Sequence, residues 1–159
     1  MELIDHDLLD KVSRRAKAAA RLRMNYNFHQ SLDAPLHRLI NAVEPGTYVR
    51  PHRHLNPGRE ESFLVLRGRV VFFLFDDEGN VIEHRLIDPL AGVYGMDIEA
   101  GVWHSLVVLK PDTVIYEAKL GPFVPLSDDN MAAWSPSVDD RTAAEAYMAG
   151  LMKQYSFNY

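Results

Sequence analysis

Pro45-Gly46-Thr47-Tyr48-Val49-Arg50-Pro51-His52-Arg53-His54, followed after a short polar loop by Glu61-Ser62-Phe63-Leu64-Val65-Leu66-Arg67-Gly68, is the stretch that decides how this chain is read. In an extended segment alternate side chains share a face, so His52 and His54 point the same way. Leu55 to Glu60 contain Asn56, Pro57 and Gly58, turn chemistry that returns the chain so that Glu61 faces the two imidazoles from a neighbouring strand. Far along the chain, Ile98-Glu99-Ala100-Gly101-Val102-Trp103-His104 supplies a third imidazole, from a glycine turn feeding the apolar run Leu106 to Leu109. A single histidine on a strand is more often packed or solvent-facing than a ligand. Three imidazoles and a carboxylate in register are a nitrogen and oxygen donor set without sulfur. That set suits iron, manganese, nickel, cobalt, copper or zinc rather than magnesium or calcium. One such divalent ion per chain, on His52, His54, Glu61 and His104, is the expectation. Glu60 is a rival for the carboxylate role, but Glu61 has the parity of Phe63 and Val65.

The same residues resemble the first motif of the cupin superfamily: Gly, five residues, His-x-His, three or four residues, Glu, six residues, Gly. Gly46, His52, His54, Glu61 and Gly68 fit it, with six residues rather than three or four between His54 and Glu61. The second cupin motif is matched at Gly101 and His104, with Glu99 standing for its proline and Val108 for its asparagine. Arg23-Met24-Asn25-Tyr26-Asn27-Phe28-His29, Pro51-His52-Arg53-His54, Phe75-Asp76-Asp77-Glu78-Gly79-Asn80, Gly101-Val102-Trp103-His104 and Gly121-Pro122 are similar to the WbuC family of cupin-fold metalloproteins. That resemblance covers nearly the whole chain. It implies a small bacterial metal-binding cupin, often encoded with surface-polysaccharide biosynthesis, and no particular reaction. Since cupins commonly pair, it also implies a homodimer.

Composition narrows the classes further. A chain of 159 residues has the length of one domain and buries about two-thirds of its unfolded surface. The net charge of −5 argues against a nucleic-acid partner, which would require a basic face to displace phosphate counterions. No cysteine is present, which excludes disulfides, thiolate metal sites and cysteine nucleophiles. Apolar residues near the start are interrupted by Asp5, His6, Asp7, Asp10 and Lys11, and no run approaches the roughly 18 apolar residues of a membrane span. A cytoplasmic protein with no membrane partner is expected.

Leu8, Leu9, Val12, Ala16 and Ala19 or Ala20 recur at helical spacing, which predicts an amphipathic helix over roughly 5 to 20 that covers an open side of a barrel. From residue 21 the period becomes two. Leu22, Met24, Tyr26 and Phe28 alternate with Arg21, Arg23, Asn25, Asn27 and His29. Asparagine is depleted in strands, so this polar face is either a recognition surface for an anionic or hydroxyl-rich ligand, or an edge strand whose charges face water. Further strands are expected at about 37 to 43, 47 to 54, 61 to 67, 69 to 76, 81 to 87, 93 to 98, 103 to 109 and 113 to 120. Asp77-Glu78-Gly79-Asn80 forms a hairpin turn between two of them. Many short strands without a repeated βαβ pattern predict an all-β fold. The consistent choice is a double-stranded β-helix, the cupin jelly-roll barrel, with flanking N- and C-terminal α-helices. One cupin domain then spans 1–159: helix, barrel over about 21–120, and an irregular segment plus helix over 121–159. In that last part Trp134 is expected to anchor the segment, and Ser137 to cap a helix with Asp140 at its third position. Ala144, Tyr147, Met148, Leu151 and Met152 form its apolar stripe, and the aromatic tail Tyr155 to Tyr159 is expected to pack on the barrel or a partner subunit.

Four protein ligands on a six-coordinate ion leave two positions open, which a catalytic or ligand-exchanging site needs and a closed structural site does not. Two functions from different classes fit. One is a metal-dependent enzyme, an isomerase, epimerase or lyase acting on a hydroxy-carbonyl compound, or an oxygenase. The other is a non-catalytic cupin that binds or senses a small polar, sugar-derived or hydroxy-acid-like molecule. Candidate substrate-binding residues are Arg23, Asn25, Asn27, His29, Tyr48, Glu117 and Lys119, with Arg50 and Arg67 as further supports. Glu117 and Lys119 share a strand face and equally well form a surface ion pair. Ser62 and Ser105 lack the glycine-framed elbow of a nucleophilic serine.

Overall fold

The computed structural model describes residues 1–156. Eight antiparallel strands form two sheets between two helices: α1 (His6–Ala18), β1 (Arg23–Asn27), β2 (Leu36–Val43), β3 (Glu61–Arg67), β4 (Val70–Phe75), β5 (Val81–Ile87), β6 (Gly95–Ile98), β7 (Trp103–Val108), β8 (Thr113–Leu120) and α2 (Arg141–Ser156). The larger sheet has the order β1-β2-β8-β3-β6 and the smaller β5-β4-β7. Their inner faces close on one core in which Phe63, Val65, Phe72, Leu106 and Ile115 interdigitate. This is the jelly-roll of cupins, with a helix at each end of the chain.

Each sheet is also covered on its outside. Leu8, Leu9, Val12 and Ala16 of α1 pack on Ile40, Ala42 and Val114 of the larger sheet, and Met24, Tyr26 and Phe28 join them. The apolar parity of β1 therefore serves α1, and its polar parity is turned the other way. Asp5 caps α1 by accepting from Leu8 N at 3.0 Å. Arg67 staples the helix to the barrel through Asp10 at 2.5 Å and Ser13 at 2.9 Å. It is thus a packing residue and no support of the cluster.

β4 is buried on both faces, because Val71, Phe73 and Phe75 meet Trp103, Trp134 and Leu151 on the far side from the core. Trp134 anchors the segment after β8 as expected, and its ring closes over Gly79, where a Cβ would stand 2.5 Å from it. The helix start differs from expectation. Ser137 Oγ accepts from Asp139 N in a turn before the helix, and Asp140, accepting from Ala143 N at 3.0 Å, takes the capping position of a helix that begins at Arg141. Tyr155 packs partly buried against the β4 side, and residues 157–159 of the aromatic tail lie outside the described residues.

The expected strand over 47–54 does not form. Only His52 pairs, with His104 on one side and Met131 on the other. Pro51 has no N–H to continue a ladder, and residues on either side bond instead to 130–132: Arg53 N to Asn130 O at 3.0 Å, Ala132 N to Pro51 O at 3.0 Å. The segment is pinched between β7 and the chain after β8.

Gly68 turns β3 into β4 at φ +89°, and a Cβ there would lie 2.1 Å from Thr113 Oγ1 and 2.7 Å from Thr113 Cα. Strained φ and a backbone clash act together, so Gly68→Ala should cost about 2–4 kcal/mol of stability. Denaturant unfolding measures it, and a loss under about 0.5 kcal/mol would refute the packing described here.

Candidate metal centre

The cluster is assembled by backbone pairing. His52 N donates to His104 O at 3.1 Å and His104 N to His52 O at 2.9 Å, so the two residues stand directly opposite and their rings lie 4.4 Å apart. His54 is held by its carbonyl, which accepts from Gly101 N at 3.0 Å and Arg59 N at 3.2 Å. The loop from Leu55 is clamped by the buried Asn130, whose side-chain oxygen accepts from Leu55 N at 3.0 Å. At its end β3 begins with Glu61 facing inward, in step with Phe63 and Val65, while Glu60 is exposed. One ligand atom from each of His52, His54, Glu61 and His104 lies within 4.8 Å of the others.

The nitrogens are oriented by main-chain carbonyls. His52 Nδ1 lies 3.0 Å from Arg50 O and His104 Nδ1 2.9 Å from Val102 O. A carbonyl can only accept, so each Nδ1 carries the proton and each Nε2 presents a lone pair. His104 Nε2 then stands 3.0 Å from Glu61 Oε2, and His54 Nε2 3.2 Å from Oε1. A lone pair at 3.0 Å from a carboxylate oxygen is repulsive without a cation or a proton between them. His54 Nε2, His104 Nε2 and Glu61 Oε2 are buried with no hydrogen-bond partner. Buried polar atoms are normally satisfied. The donor set and its three orphaned atoms fit a divalent cation.

Charge favours the same binding state. Burial and the neighbouring His104 push His52 down to about 3, so its ring is neutral and ligating at physiological pH. Burial pushes the Glu61 carboxyl up, but a proton on Nε2 of His104 and His54, taking the place a cation would fill, together with the Lys119 ammonium outweighs it and holds the group well below the usual carboxylate range. Lys119 Nζ bridges Glu61 Oε1 at 2.8 Å and Glu117 Oε1 at 2.6 Å, and Asn41 donates to Glu117 Oε2 at 2.5 Å. Burial pushes Lys119 down, and the charges of Glu117 and Glu61 overcome this and raise it. Glu117 and Lys119 are therefore no surface pair. They form an ionic network beside the cluster.

A cavity of about 340 Å³ opens next to it, with His52, Glu61 and His104 in its wall and His54 completing the cluster from outside that lining. Arg23, Asn25, Glu117 and Lys119 also line the cavity. Asn27 and His29 do not. The strand carries Asn27 past the mouth, and His29 stacks on His37 with ring centroids 4.1 Å apart. Tyr48 lies in a smaller neighbouring cleft, its hydroxyl donating to Pro136 O at 2.9 Å. Arg50 lines the cavity but its N–H groups bond Ser135 and Ala132, fixing the segment after β8. That segment, through Leu126, Met131 and Val138, and Asn41 of β2 are the lining that sequence reasoning missed. Asn41 carried a signal, an amide inside the apolar run Leu39-Ile40-Asn41-Ala42-Val43; the segment carried none.

Among solved structures, TT1209 from Thermus thermophilus aligns with a TM-score of 0.53 at 18% identity, over 76% of this chain and 97% of that one. The capsular polysaccharide assembling protein CapF from Staphylococcus aureus, a cupin-fold protein, aligns with a TM-score of 0.51 at 20% identity, over 64% of this chain. The match takes in 27% of CapF. At such identities the likeness shows the cupin fold alone. No curated protein matches the sequence. The family model described as "Domain of unknown function (DUF6016)" matches residues 4–87, more than half of the chain, and the chain belongs to that family.

Proposed function

We propose that this protein is a metal-binding cupin that takes up a small polar, sugar-derived or hydroxy-acid-like metabolite beside one divalent transition-metal ion per chain. The observation that carries this reading is the convergence of orphaned, buried His54 Nε2, His104 Nε2 and Glu61 Oε2 at the edge of a ligand-sized cavity. His52, His54, Glu61 and His104 would hold the ion. When bound it would supply Lewis-acid polarisation of a hydroxy-carbonyl ligand, or a docking point for dioxygen. The chain's own part is to bind and orient: Arg23 and Asn25 offer donors to anionic or hydroxyl groups, and Lys119 and Glu117 set the charge beside Glu61.

Two outcomes of binding differ in what Glu117 and Lys119 do. In an isomerase or epimerase one of them moves a proton on the ligand. The polar groups of this pair are already engaged in the network with Glu61 and Asn41, which favours the non-catalytic alternative, binding or sensing. We read the whole chain as one domain of a WbuC-type cupin, cytoplasmic and homodimeric, serving surface-polysaccharide biosynthesis. The blocks Arg23 to His29, Pro51 to His54 and Gly101 to His104 support that assignment. CapF, about a quarter of which aligns with this chain, is named for capsular polysaccharide assembly.

Protein prepared without an affinity tag should contain about one transition-metal ion per chain by elemental analysis. Metal far below that ratio, with no uptake on reconstitution, would sink the reading. Glu61→Gln should weaken metal binding at least ~tenfold, and the exposed Glu60→Gln should leave it unchanged. Competition with a chromogenic chelator separates the two, and the opposite ranking would move the carboxylate role to Glu60.

A further inference from the structure

The cavity beside the cluster shares three lining residues, Arg21, Arg23 and Val138, with a second cleft of about 120 Å³ that lies towards α2 and also holds Tyr48, Arg141 and Glu145. Two guanidinium groups thus stand where one hollow adjoins the other. Five arginines sit on carboxylates, Arg53 on Asp77, Arg67 on Asp10, Arg69 on Asp88, Arg85 on Glu83 and Arg141 on Glu145, and of the arginines without one only Arg21, Arg23 and Arg50 line the main cavity, Arg50 being engaged by Ser135 and Ala132. Arg21 and Arg23 have no such partner among the described residues. Arg23 donates only to the Tyr48 carbonyl, at 2.9 Å, and Arg21 makes no hydrogen bond or ion pair among the described residues. Burial, together with the charge of Arg21, pushes Arg23 below the usual guanidinium range, so the two cations act on each other without a counter-ion.

Resting on the function proposed above, we infer that Arg21 and Arg23 bind the phosphate group of a phosphorylated, hydroxylated metabolite whose other end reaches the His52–Glu61–His104 wall. Adjacent like charges at a concave surface are relieved by an anion. A carboxylate fills one guanidinium fork, whereas phosphate, with more oxygens and nearly two charges, matches two forks at once. Glu145, the carboxylate in the second cleft, is exposed to solvent and paired with Arg141 at 2.8 Å, so its charge is screened from the arginine pair. The main cavity, about 340 Å³, lies at the small end of ligand sites, which selects a sugar phosphate or phosphorylated hydroxy acid over a nucleotide-linked sugar.

Calorimetric titration of the full-length, metal-loaded protein with inorganic phosphate tests the inference. Saturable binding is expected, weakened about tenfold in Arg21→Ala, an exposed side chain whose removal breaks no hydrogen bond or ion pair among the described residues. Metal content should not change in that variant. In Glu61→Gln, depleted of metal, phosphate affinity should stay within about threefold of the parent. Absence of saturable phosphate binding, equal affinity in Arg21→Ala, or phosphate binding that disappears with the metal in Glu61→Gln would each overturn the inference. Arginine-dependent phosphate binding in a protein that takes up no metal would instead uphold the anion site and overturn the metal-centred reading.

Discussion

The site depends on one reciprocal pair of backbone hydrogen bonds, His52 N to His104 O and His104 N to His52 O. Residues paired in this way across antiparallel chains have their Cα atoms roughly 5.5 Å apart and their side chains on the same face. Fifty-two positions of sequence are thereby collapsed into a single register. His54 follows two residues later on the same side, and Glu61 comes in from β3, which the glycine turn and the Asn130 clamp bring alongside. Remove the pair, and the imidazoles lose their common focus even if each strand survives.

Electrostatics explains why the site is built from so many contacts. Glu61 is 2% exposed, and an isolated carboxylate at that depth would neutralise itself. Lys119 supplies one positive charge, and it would be equally unstable there without Glu61 and Glu117. Of the two histidines that face Glu61, His104 presents a lone pair because the Val102 carbonyl holds its Nδ1 proton, and His54 is anchored by the bonds its own carbonyl accepts from Gly101 and Arg59. The arrangement as a whole is balanced for an added cation. At the mouth the sign is reversed, with Arg21 and Arg23 left without carboxylates. With the proposed ion in place, a ligand with a chelating end and an anionic end would meet complementary charge at both.

The helices and the irregular segment serve the site indirectly. By burying the apolar face of β1, α1 leaves Arg23 and Asn25 to the cavity. The segment after β8 pairs with His52 through Met131, holds the loop through Asn130, and is itself fixed by Arg50 and by Trp134 against Phe75 and Trp103. It forms a wall of the pocket and a brace for the His52–His54 segment at once.

What the sequence determined by itself is what short-range alternation controls. Parity along β3 put Glu61 inside and Glu60 outside, the His-x-His spacing set two rings on one side, and the period of two from Leu22 to Phe28 separated an apolar face from a polar one. Glycine at 79 was legible as turn chemistry, because backbone conformation there is a local demand, whereas Gly68 entered only through the motif spacing. Tertiary structure decided the rest. Residues 47–54 read as a strand but became a pinched connection, since strand formation needs a partner with free donors and acceptors and Pro51 offers none on one side. Asn27 and His29 share the parity of Arg23 and Asn25 yet lie beyond the mouth, because parity fixes a face and only strand length and neighbours fix where along it the pocket ends. Arg67 went to α1, and Glu117 and Lys119 went inward to Glu61 rather than to water. Asn130 and Met131 joined the site across some seventy-five residues of chain, through one side-chain hydrogen bond and an isolated backbone bridge that no periodicity announces.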